Sequence, residues 1–124
     1  MEAYSAEIKT LAMKILGFMA KALKMKDGEM DDIFGEGKQS MRMNYYPPCP
    51  QPGLAIGLSP HSDATGLTIL LQVNEMEGLQ IKKDGLWIPI KPLPGAFIIN
   101  IGDMLEVRSR IPSIYIDSIA IVNS

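Results

Sequence analysis

One histidine, one cysteine and one tryptophan stand in 124 residues, and each scarcity excludes chemistry. A lone cysteine closes no intrachain disulfide, and a lone Cys with a lone His cannot complete a tetrahedral zinc site, so disulfide scaffolds and zinc fingers are out. Mechanisms that need two imidazoles from this sequence lack their parts. There is no basic excess either. Twelve Lys+Arg against fourteen Asp+Glu give a net charge of -2, with the lysines scattered, so nucleic acid is not an expected partner. No apolar run approaches the roughly 18–20 residues that span a bilayer, and Met1-Glu2-Ala3-Tyr4 is not a basic leader start. The expected setting is cytosolic, with no membrane contact. What remains, 47% hydrophobic and 21% charged, is the make-up of one small globular chain.

The first 26 residues place Tyr4, Ile8, Leu11, Ala12, Ile15, Leu16, Met19 and Leu23 at steps of three and four, which predicts one amphipathic helix. Ser5 and Ile8 do not form a capping box, so its start is loosely fixed. Asp27–Gly37 is acidic, with Met30, Ile33 and Phe34 at helical spacing, and predicts a short second helix and then a turn. From Ser40 the period changes to two. The predicted strands are Met41–Tyr46, Leu54–Leu58, Leu67–Val73, Leu79–Lys82, Leu86–Ile90, Ala96–Ile101 and Ile114–Val122. Asp84-Gly85 is the strongest hairpin signal. Pro47–Gly53 carries four prolines and reads as a stiff connector, neither helix nor central strand. Ala96–Ile101 is apolar on both faces, as expected of a strand with two neighbours. Helices followed by short strands make the fold class α+β, with a sandwich or jelly roll whose sheet is short of its usual eight strands. The predicted division is a helical segment at 1–39 and a sheet domain at 40–124.

Two pairs of residues could carry chemistry. His61 and Asp63 are i and i+2, so an extended backbone sends an imidazole and a carboxylate to one side. Such a pair suits Fe(II), Mn(II) or Zn(II), and it also suits a hydrogen-bonded surface pair; spacing leaves both open. Asn44 and Tyr46 are related in the same way. They could hold the oxygens of a small acid, or could be ordinary strand polarity. Cys49, between prolines and without a basic neighbour, reads as structural. Asp103, after Gly102, reads as a turn or cap residue rather than a catalytic one.

Asn44-Tyr45-Tyr46-Pro47-Pro48-Cys49-Pro50-Gln51-Pro52, His61-Ser62-Asp63-Ala64, Gly78-Leu79-Gln80-Ile81, Gly85-Leu86-Trp87 and Asn100-Ile101-Gly102-Asp103-Met104-Leu105-Glu106 follow one another in that order. Together they resemble the plant Fe(II)/2-oxoglutarate-dependent dioxygenases, in the branch with norcoclaurine synthase-like, codeine-demethylase-like and senescence-related members. The resemblance covers nearly the whole chain. It implies an N-terminal helix packed on an incomplete double-stranded β-helix, a jelly roll. It also implies Fe(II) and 2-oxoglutarate as cofactors and a small plant metabolite as substrate. In the family, the residues matching His61 and Asp63 bind iron, and those matching Asn44 and Tyr46 contact 2-oxoglutarate. The pattern departs in two places. Ser118 stands where the gap-free match has the family's second iron-binding histidine, and the family's Arg-x-Ser pair is not reached. These departures imply a chain shortened at both ends, with weak or absent metal and co-substrate binding and no assigned catalytic residue. The alternatives are a catalytically silent binding or interaction domain, to which self-association through unpaired strand edges is open, and a fragment with no stable fold of its own.

Overall fold

The apolar stripe of the first residues folds as α1, Glu2–Ala22, and its start carries no side-chain cap, as the missing capping box implies. Its end is fixed better. Lys24 takes a left-handed φ of 53°, its N–H donates to Lys21 O, and Met25 N–H donates to Ala20 O, so these two carbonyls of the last turn are satisfied. The acidic stretch forms α2, Glu29–Phe34, which touches α1. Leu16 and Met30 are the buried residues of these two helices. The computed structural model describes residues 1–35, 37–109 and 118–122, and the chain divides into two units, Met1–Met43 and Asn44–Ser124.

The second unit is built from antiparallel strands: β1, Ile56–His61; β2, Leu67–Leu71; β3, Leu79–Lys83; β4, Leu86–Pro89; β5, Phe97–Ile101; and β6, Ser118–Val122. One sheet has the order β1-β6-β3-β4, and a second pairs β2 with β5. With the two helices this bears out the α+β class. β3 and β4 form the hairpin signalled by Asp84-Gly85, where both residues have positive φ, 51° and 80°. A Cβ at Gly85 meets no neighbour within 4 Å, so Gly85→Ala isolates the backbone cost. We expect a loss of about 1–2 kcal/mol in a denaturant melt, the cost of forcing an L side chain into left-handed backbone. On the hairpin's surface Lys82 Nζ lies 5.9 Å from the ring of its cross-strand partner Trp87.

Three expectations are corrected. Met41–Tyr46 forms no strand, because among the described residues no chain segment supplies a ladder for it and Pro47 cannot extend one. The strand expected at Leu54–Leu58 is displaced toward the C-terminus. Pro52–Leu54 forms a single 3₁₀ turn inside the stiff connector, with proline at the start, where its missing N–H costs nothing. Among the described residues β5 has one partner, β2, and no strand on its other side, and its Phe97, Ile99 and Ile101 are exposed. Asp103, read as a turn or cap residue, stands at the start of a helix that the sequence reading did not place, α3, Asp103–Ser109, whose Leu105 is fully buried. Residues 114–117 of the last expected strand lie outside the described residues. No helix among the described residues is long and apolar enough to cross a membrane.

Candidate metal centre

Among the described strands β1 lies at the edge of its sheet, and an edge is where a sheet tolerates proline. Pro60 donates nothing to the ladder, and the pairing of β1 with β6 shifts register between Leu58 and His61, across Ser59-Pro60. Irregularities of this kind re-aim the next side chain. Here that side chain is His61. Its Nδ1 lies 2.8 Å from Ser59 O, and since a carbonyl only accepts, Nδ1 carries the proton. In that tautomer the lone pair is on Nε2. Nε2 faces Asp63 Oδ1 at 3.6 Å.

That distance lies beyond the 2.7–3.2 Å range of an N–H···O hydrogen bond, so the imidazole and the carboxylate converge without bonding each other. The second oxygen, Asp63 Oδ2, is buried and has no hydrogen-bond partner among the described residues. An orphaned carboxylate oxygen is costly unless something else satisfies it. A divalent cation is such a group. The 3.6 Å gap is readily spanned by two metal–ligand bonds of ~2.1 Å, the usual length for imidazole and carboxylate donors on zinc. The Nδ1–H bond to a backbone carbonyl is also the outer contact that ligating histidines ordinarily make. The donor set thus fits a metal ion. Among the described residues no third His, Cys, Asp or Glu joins the pair.

The loop that carries Asp63 is fastened to the start of α3. Gly102 N–H donates to Gly66 O (3.0 Å), Asp103 N–H to Asp63 O (2.8 Å) and Met104 N–H to Thr65 O (3.3 Å). Ser62 Oγ–H donates to Asp103 Oδ2 at 3.0 Å. Sequence reading passed over Ser62 and Gly102; the acidic residues Asp103 and Glu106 in the first turn of α3 were the available signal for that helix. Asn44 and Tyr46 lie in the irregular segment before the prolines, Asn44 exposed and Tyr46 half-buried, and not on a common strand. Ser118 opens β6, with its backbone opposite Lys82 and next to Ile119, the register partner of His61.

The profile of the 2OG-Fe(II) oxygenase superfamily matches residues 37–114, which include this whole arrangement up to α3. The chain is 66% identical over 106 residues to oxoglutarate-dependent flavonoid 7-O-demethylase 1 of Ocimum basilicum, covering 86% of this chain and 28% of that protein. It is 56% identical to thebaine 6-O-demethylase of Papaver somniferum, over 99% of this chain and 35% of that one. A crystal structure of JOX2 in complex with 2OG, Fe and JA superposes with a TM-score of 0.80 at 38% identity, over 97% of this chain and 36% of the other. The chain thus spans about a third of the length of the proteins it matches. With an imidazole and a carboxylate converging in a region that the profile covers, the chain belongs to the 2OG-Fe(II) oxygenase superfamily.

Proposed function

We propose that this chain carries part of the iron- and co-substrate-binding apparatus of a dioxygenase that oxidises a small plant metabolite, with His61 and Asp63 as metal ligands. The observation that carries this reading is the 3.6 Å convergence of Nε2 and Oδ1 beside the orphaned Oδ2. His61 would bind through Nε2, its ring held by the Nδ1–H bond to Ser59 O. Asp63 would bind through its carboxylate. Asn44 and Tyr46 would meet the carboxylate oxygens of 2-oxoglutarate, donating an amide N–H and a phenolic O–H. Bound iron supplies the chemistry that couples O₂ activation and loss of CO₂ from 2-oxoglutarate to oxidation of an organic substrate. On this reading the helical segment is 1–39, the oxygenase segment is 40–124, and its two sheets are the walls of an incomplete jelly roll.

The reading includes a weak site. The sequence has one histidine, and Ser118 occupies the position matched to the family's second; a serine hydroxyl is a poor donor to Fe(II) beside imidazole. A catalytically silent binding domain is the second reading, and it rests on that same serine. Anaerobic titration with Co(II), followed by visible absorption, tests the site. His61→Ala should weaken binding by ~100-fold or more, since loss of an outer contact alone costs ~10–100-fold. Equal binding by wild type and His61→Ala would sink the metal reading. Ser118→His should tighten Co(II) binding by at least ~10-fold if β6 supplies the missing donor. Oxygen uptake dependent on 2-oxoglutarate then separates an enzyme from a silent domain.

A further inference from the structure

We infer that Asp103 is a positioning residue for the metal site, acting through Ser62 to hold the proposed ligands His61 and Asp63 in register; this rests on the metal reading above. Ser62 is the single residue between those ligands, and its hydroxyl is tied to Asp103 Oδ2 at 3.0 Å. The same Asp103 donates its backbone N–H to Asp63 O at 2.8 Å. One residue therefore grips the ligand pair twice, by its side chain at the middle and by its backbone at the second ligand.

Residues 62–66 join β1 to β2 and lie outside both strands. A carboxylate on an unanchored loop would lose conformational freedom when it met a cation, and that cost would be subtracted from affinity. A loop fastened to α3 has already lost that freedom on folding. The Ser62–Asp103 bond is also charge-assisted, which makes it a stronger tether than a bond between neutral groups. Backbone bonds from Gly102, Asp103 and Met104 survive removal of the Asp103 side chain, so the loop remains docked and only its fine placement is released. Sub-ångström placement of ligands is what supporting contacts of this kind supply.

The test uses Co(II) as the probe, with affinity and visible absorption as readouts, and a thermal melt of the metal-free chain. Asp103→Ala and Ser62→Ala should each weaken Co(II) binding by ~10-fold and change the absorption of the bound ion. The double variant should be no worse than either alone, because both remove one bond. Asp103→Asn keeps an acceptor for Ser62 and should bind within a few-fold of wild type. If Asp103 merely starts α3, Asp103→Ala will shift the melt while affinity and spectrum stay as in wild type, and the inference fails. Additive losses in the double variant would overturn it as well. Should Asp103→Ala not fold, Ser62→Ala carries the test, since Ser62 is exposed and lies outside the helix. His61→Ala separates this failure from that of the metal reading: if His61→Ala binds Co(II) like wild type, there is no site to position, and both fall.

Discussion

Gly102→Ala is expected to destabilise the chain by about 3–5 kcal/mol and to lower its thermal midpoint by roughly 10 °C or more. A Cβ at this position would sit 1.9 Å from Thr65 O, 2.7 Å from the Thr65 carbonyl carbon and 2.8 Å from Asp63 O. All three atoms are backbone, so no side chain can swing aside. The loop cannot retreat cheaply either, because three N–H donors, from Gly102, Asp103 and Met104, bond Gly66 O, Asp63 O and Thr65 O. Separating the two segments would forfeit some or all of these bonds at about 0.5–1.5 kcal/mol each, and would disturb α3, whose Leu105 is fully buried. Overpacking alone typically costs about 1–3 kcal/mol. Gly53→Ala is the control. Its Cβ would meet nothing within 4 Å, so it should melt like wild type or slightly above. A Gly102→Ala melt within about 2 °C of wild type would show that the contact is looser than described, since even 1 kcal/mol moves a domain of this size by more.

The loss should extend to metal binding. Asp63 O is one of the atoms that the new methyl group would strike, and the carboxylate of the same residue is the proposed ligand. Stability and affinity are thus coupled at one glycine. Cys49 or Trp87 offers no such coupling, since neither is bonded to the loop among the described residues.

What the sequence discloses and what it hides follow the range of the interactions involved. α1 was legible because a stripe repeats through six turns, and the β3–β4 hairpin because Asp84-Gly85 states its own backbone geometry. His61 and Asp63 were legible as a pair because two residues of extended chain suffice to bring them together. Met41–Tyr46 misled for the complementary reason. Its alternation is that of a strand, but a strand needs a partner, and alternation says nothing of whether one is at hand. The helix α3 is seven residues long, too short for periodicity to declare itself. The requirement for glycine at 102 and the Ser62–Asp103 bond are hidden more deeply. The two bonded residues are 41 positions apart, and the pairing of β2 with β5 brings the segments alongside.

Asp63→Ala is expected to act in opposite directions on the metal-free and metal-loaded chain. Without metal, Asp63 Oδ2 is buried and unpartnered among the described residues, a condition that costs about 1–3 kcal/mol for a polar group. Removing the carboxylate removes that burden, and the half-buried position loses little packing in return, so in chelator the variant should melt about 1 kcal/mol above wild type. With metal the order should reverse. A ligand present at 100 times its dissociation constant stabilises the folded state by about 2.7 kcal/mol, and a variant lacking one of two protein donors gains almost none of it. The melting curves of wild type and Asp63→Ala, followed as Co(II) is added, should therefore cross. A variant less stable than wild type in chelator would mean that the carboxylate serves the fold through a contact of its own. Parallel rises for both proteins would mean that the cation binds elsewhere. A crossing is the signature of a carboxylate kept, at a cost to the empty chain, for a positive charge that arrives after folding.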